Sequence, residues 1–357
     1  MSVQVISSAY ITNLLNEWYQ AIRSQHVNKA EEYKREVEIK LSYMEENQNV
    51  LLYYSLLDFR HSILVKSLVH ADSSVQNIEK DESSMDDFLT YYYHLFKGIY
   101  AMNNGQYSDA RIHYQKAEVL LDFVPDGAEK AEFYYRVGTF YYHIHQPLDS
   151  IRYITNARYF YLENFGYERN IASCDNVLGL SCILLKQFDQ AETYFLTSLK
   201  QLLKLDEKKL ILKVSHNLGF LYAEQGLSNL AIPYLLEAVK DNPKTMFLLA
   251  REYNKLGMDR KAQDLISEGM KSCDEEYKHH FSVLKAVVTV YPVERLEQAV
   301  RKAILYFKKE GLWKYVEEYC DMVAVALHRH SFFEQASAYF LTSHEAKKKS
   351  YEKEALL

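Results

Sequence analysis

Three stretches of the chain superimpose on one another: GTFYYHIHQPLDSIRYITNA from Gly138, GLSCILLKQFDQAETYFLTS from Gly179 and GFLYAEQGLSNLAIPYLLEA from Gly219. Each places a small residue in one helix and another near the start of a second. The second-helix residues are Ala110, Ser150, Ala191, Ala231, Ala262, Ala299 and Ala336, separated by 40, 41, 40, 31, 37 and 37 residues. That spacing is near the tetratricopeptide period of about 34, with some helices lengthened. Small residues belong where paired helices cross closely, because a bulky side chain would push the stack apart. The pattern predicts a right-handed superhelix of about seven helical hairpins over residues 86–357. The first helices of such a stack line a concave face suited to extended peptides or partner helices.

The N-terminal part is organised differently. Ile11, Leu14, Leu15, Trp18 and Ile22 share one helical face, and Ala30, Tyr33, Val37, Leu41 and Met44 repeat that spacing. A third helix is expected from Asn49 to about Leu68, so residues 1–70 read as a three-helix bundle. Residues 71–85, ADSSVQNIEKDESSM, are polar and read as a linker. The whole chain is therefore expected to be all-α. Its five Pro and 11 Gly in 357 residues agree with that, and its 25% charged and 48% hydrophobic residues are those of a globular protein.

A net charge of −6 gives no general reason to expect nucleic acid as a partner. Basic and acidic residues nearly balance in residues 1–70, which leaves no basic stripe for DNA phosphates. Cys174, Cys182, Cys273 and Cys320 have neither C-x-x-C nor metal-type spacing and read as reduced thiols of a cytosolic protein. The N-terminal segment lacks the layout of a signal peptide, and no apolar run reaches membrane-spanning length. A soluble, cytoplasmic protein with no membrane partner is expected. The pairs His143/His145, His279/His280 and His328/His330 have no third ligand at a sensible spacing, so no metal site is expected. There is no P-loop, G-x-S-x-G or dinucleotide fingerprint.

Seven segments carry a family resemblance: LNEWY (15–19), MEENQ (44–48), LLYYSLLDFRH (51–61), FKGIY (96–100), EKAEFYYRVG (129–138), HNLG (216–219) and ASAYF (336–340). With them the chain resembles the Rap family of spore-forming bacteria, response-regulator aspartate phosphatases and their non-enzymatic relatives, over nearly its whole length. The resemblance implies a bundle that binds a response regulator. It implies either hydrolysis of the regulator's aspartyl phosphate or sequestration of a DNA-binding regulator without chemistry. It also implies inhibition by a short signalling peptide held in the repeat groove. No cofactor of the chain's own is expected; Mg2+ belongs to the partner regulator.

An acyl phosphate is already reactive, so its hydrolysis mainly needs a water placed in line. A glutamine suits that task, because its carbonyl accepts from the water, its amide donates to an oxygen, and it carries no charge to repel phosphate. Gln48 matches the family's catalytic glutamine; the ordinary alternative is a solvated amide in a helical turn. Glu45 and Glu46 precede the third helix, where acids favour the helix dipole, and Asn47 stands where the family often has Asp. With these three, Phe59 matches an apolar contact to the regulator, its alternative being bundle core. Asp126 and Glu129 match an acidic pair that touches the regulator. For the peptide, Asn217 matches the family asparagine that grips a peptide backbone. An inter-repeat hydrogen bond is its alternative, since an Asn offers both donor and acceptor. Leu184 replaces a family acid that pairs with a basic peptide side chain, and Glu224, further along the helix of Asn217, is a substitute for it.

Overall fold

The computed structural model describes residues 6–45, 47–65, 78, 85–289 and 292–355, with side chains as far as residue 350. Among these are seventeen α-helices and no strand pairing beyond one isolated bridge between Ile6 and Met44. Of the linker expected over 71–85, only Ile78 and Met85 are described. The chain divides into two compact units, residues 1–103 with 109–132, and residues 104–108 with 133–357.

The first unit contains α1 (Ser8–Arg23), α2 (Val27–Leu41), α3 (Gln48–Leu64), α4 (Asp87–Asn103), most of α5 (Tyr107–Val119) and a 3-10 turn (Leu121–Phe123). Every residue of the face expected on α1 is buried, Ile11, Leu15, Trp18 and Ile22 completely. Ala30 and Val37 of α2 close on that face. The Trp18 indole nitrogen donates to His61 Nδ1 at 3.1 Å, which fixes the neutral ring and pins α3 to α1. Aromatic contacts join α4 to the bundle: Tyr92 lies 5.3 Å from Tyr19 of α1 and 5.8 Å from Tyr53 of α3, ring to ring.

Six further hairpins make up the second unit. They are α6 (Gly127–His143, whose first turns belong to the first unit) with α7 (Pro147–Glu163), α8 (Glu168–Leu184) with α9 (Phe188–Lys204), and α10 (Lys208–Glu224) with α11 (Ser228–Ala238). α12 (Pro243–Lys255) with α13 (Asp259–Gly269), α14 (Glu275–Val288) with α15 (Val293–Lys309) and α16 (Trp313–Arg329) with α17 (Phe333–Ala355) follow. With α4 and α5 that makes seven hairpins, and the glycines explain their close crossings. A Cβ on Gly138, Gly179 or Gly219 would come 2.6 Å from Ile154, 2.7 Å from Phe195 and 2.6 Å from Leu235. In each pair the second residue lies sixteen positions after the glycine, as Tyr114 does after Gly98 in the first unit, where the distance is 2.8 Å. Ala110, Ser150, Ala191, Ala231, Ala262 and Ala336 are buried. Ala299 is only half-buried, and Val300 and Ala303 occupy the crossing beside it.

Candidate functional site

At the start of α3, Asn47 adopts an extended backbone (φ −139°, ψ 107°) and its side chain accepts from the Val50 N–H at 3.3 Å. This is ordinary N-capping, carried out one residue ahead of Gln48. Gln48 is the first residue of α3; it is exposed, and its side chain has no hydrogen bond among the described residues. Glu45 is exposed beside it, and Glu46 lies outside the described residues. Phe59 is fully buried with its ring 5.6 Å from that of Tyr100, so in this conformation it is core.

Asp126 and Glu129 are brought together, but around a residue that sequence reasoning did not single out. Arg23, the last residue of α1, reaches Asp126 at 3.4 Å and Glu129 at 3.2 Å. Asp126 remains half-exposed and also accepts from the Ala128 N–H at 2.9 Å. Glu129 is completely buried and accepts from the Tyr19 hydroxyl at 2.9 Å and the Tyr91 hydroxyl at 3.2 Å. Burial pushes its carboxyl up to about 7, against the opposing pull of the Arg23 guanidinium and the two phenols. Within the first unit, then, the acidic pair ties α1 to the start of α6. No local pattern signals a contact between residues 106 positions apart.

In the second unit, Asn217 is buried and its amide donates to the Asn176 carbonyl oxygen at 2.7 Å. This inter-repeat bond joins α8 to α10 and leaves the Asn217 carbonyl and the Asn176 amide without a partner among the described residues. Asn176 lines a cavity of about 10 Å³ with Tyr135, Ser173 and Lys213, room for one water. Leu184 and Glu224 each stand five residues after their repeat glycine, Gly179 or Gly219. The acid absent at 184 thus sits at the same position one repeat further along the stack, where Arg251 holds it at 2.8 Å. Around them burial lowers the imidazole pKa of His143 to about 3 and of His145 and His216 to about 4. His216 also meets the Thr245 hydroxyl at 2.8 Å. Asn176 and Lys213, one helical turn or one repeat from Asn217, were within reach of periodicity; Arg23 was not.

Residues 5–66, which include α1 to α3, match the family model for the N-terminal region of response regulator aspartate phosphatase H. The chain is 30% identical to response regulator aspartate phosphatase H of Bacillus subtilis (strain 168) over 359 residues, covering 94% of each. The chain belongs to the Rap family. It is also 29% identical to the regulatory protein RapF of the same organism over 361 residues, again 94% of each. Among solved Rap structures, a Rap protein complexed with competence and sporulation factor has a TM-score of 0.86 at 27% identity, covering 97% of this chain and 99% of that one. The apo form of RapI has a TM-score of 0.58 at 29% identity with the same coverage.

Proposed function

We propose that this Rap-family chain binds a response regulator through its N-terminal bundle and hydrolyses the regulator's aspartyl phosphate, with Gln48 orienting the attacking water. The observation that carries this reading is the free, solvent-facing amide of Gln48 beside a helix whose capping is already supplied by Asn47. The regulator brings its own Mg2+ and phosphoryl site, so the chain needs only to place a neutral donor and acceptor near the phosphorus. In this division of labour residues 1–70 are the regulator-binding head, 71–85 the joint and 86–357 the array that takes an inhibitory peptide. Glu45, Glu46 and Asn47 flank the catalytic amide. Phe59 and Glu129 become regulator contacts only after the first unit rearranges, because they are core as they stand, whereas Asp126 is already half-exposed. Asn217 grips the peptide backbone, with Leu184 and Glu224 deciding which charges the peptide carries.

The test is loss of label from a panel of regulators phosphorylated with radioactive phosphate. Wild-type protein should turn over many equivalents, and Gln48→Ala should abolish turnover while changing binding by less than a few-fold. Equal rates would remove Gln48 from the chemistry. A second reading is stoichiometric sequestration of a DNA-binding regulator, the alternative that the family resemblance leaves open; Asn47, where the family often has Asp, weakens a charge contact there but leaves Gln48 intact. A stable complex without release of phosphate would select it.

A further inference from the structure

The turn that leads into Gln48 is held at both ends. It joins Leu41, the last residue of α2, to Gln48, the first of α3. At its near end the chain folds back on α2. The Tyr43 N–H donates to the Lys40 carbonyl at 3.1 Å, the Met44 N–H to the Leu41 carbonyl at 3.2 Å and the Ser42 hydroxyl to the Ile39 carbonyl at 2.7 Å. At its far end Asn47 caps α3 through the Val50 N–H. Only residues 44–46 lie between Tyr43 and that cap, so little chain is left to absorb a movement of Tyr43 before it reaches Gln48.

Two ties reach this turn from the start of the chain. The Ile6 N–H donates to the Tyr43 carbonyl at 3.0 Å, and Ile6 forms a parallel bridge with Met44. In the first turn of α1, Tyr10 receives Lys40. The Lys40 ammonium donates to the Tyr10 hydroxyl at 2.8 Å and lies 4.7 Å from the ring centroid, with Glu36 on the same ammonium at 3.2 Å. Neither tie is core packing: the buried face of α1 begins at Ile11, and Tyr10 is 45% exposed. One isolated bridge and one exposed cation on a phenol add little to the stability of a bundle. What they do fix is the place of the turn ahead of Gln48, at a helix start whose first N–H groups have no partner within the helix and which frays unless it is held.

We propose that Ile6, Tyr10 and Lys40 are positioning residues for the hydrolysis: through Tyr43 they hold the turn so that the Gln48 amide meets the phosphoryl group with its water in line. This rests on the reading of Gln48 as the orienting group. A neutral amide acts by placement alone, with no charge and no titration to make up for a wrong distance. A displacement of about 1 Å costs on the order of a hundredfold in a step that depends on alignment. Since the ties act on the turn and not on the partner, their loss lowers the rate within the complex and leaves its affinity nearly unchanged.

Three quantities test it on the full-length protein: release of label from the phosphorylated regulator panel at saturating regulator, the dissociation constant of the complex, and deuterium exchange of fragments spanning residues 42–51. Ile6→Pro removes the N–H donor, and Lys40→Met removes the cation while keeping an apolar stem. Each should speed exchange over 42–51. Turnover should fall at least about tenfold in Ile6→Pro and about threefold in Lys40→Met, with the dissociation constant within about threefold of wild type. Ile6→Val, which keeps the donor, should restore the rate. Tyr10→Leu should match Lys40→Met, and the two together should lose no more than either alone, because they break one contact. Unchanged turnover in these variants overturns the proposal and leaves Gln48 in its role, whether or not exchange speeds up. So does a fall in turnover without faster exchange. If the wild-type protein releases no label from any regulator, the hydrolysis reading fails and takes the proposal with it.

Discussion

Asn47 and Gln48 are neighbours with separate tasks, and the separation can be measured. Removing the cap with Asn47→Ala should cost about 1 kcal/mol of stability in urea unfolding, and Asn47→Asp should restore it, since Asp caps as well as Asn. Gln48→Ala, at an exposed position without partners, should change stability by no more than about 0.5 kcal/mol. Glu129 is the opposite kind of residue. Glu129→Ala leaves the Arg23 guanidinium largely buried with only the half-exposed Asp126 to pair with, and a loss of about 3 kcal/mol is expected. Its titration has a definite sign. A carboxyl raised to about 7 in the folded state from an ordinary value near 4.5 binds more protons folded than unfolded. Its contribution is thus most favourable below about 4.5 and is lost as pH rises through about 7. Glu129→Gln should remove that component from a plot of unfolding free energy against pH, and an unchanged slope would mean that Arg23 holds the carboxylate ionised throughout.

At the scale of elements, the repeat glycines are there for contact, not for flexibility. In an isolated helix Gly→Ala is favourable by about 1 kcal/mol. At Gly179 the added methyl would meet the Phe195 ring at 2.7 Å, and at Gly219 it would meet Leu235 at 2.6 Å. Overpacking of this kind costs typically about 1–3 kcal/mol. Gly179→Ala is therefore expected to destabilise in spite of the helix propensity, with Gly179→Ala/Phe195→Leu recovering part of the loss; thermal unfolding of the three proteins decides it. A gain in stability from the single substitution would show that the α8–α9 crossing has slack. The sixth hairpin keeps the rule with a one-turn shift, its fully buried Ala303 standing four residues beyond the half-buried Ala299.

At the scale of the molecule, contacts distant in sequence set the acid limit. Within the second unit the turn ahead of α5 rests on the sixth hairpin: the Tyr107 hydroxyl donates to Glu276 at 2.6 Å and the Tyr306 hydroxyl to the Gly105 carbonyl at 3.1 Å. His143, His145 and His216 are enclosed by the same unit, with folded pKa values of about 3 to 4 against about 6.5 unfolded. Groups depressed in this way bind protons more readily unfolded, so the stability of their neutral state is complete above about 6.5 and is lost as pH falls toward 4. The apparent unfolding temperature should drop by several degrees between pH 7 and pH 5, and His143→Gln with His145→Gln should flatten that drop. The all-α class, the seven hairpins, the buried face of α1 and the place of Gln48 at a helix start could all be read from the sequence. Each follows from periodicity or from local capping, in which residues a few positions apart constrain one another. Core for Phe59 and an inter-repeat bond for Asn217 stood only as alternatives in the sequence; which alternative holds, and the Arg23–Glu129 tie, could not be read that way. These contacts join residues of different helices, and which of two polar groups meets across a packed stack is fixed only when the helices have taken their places.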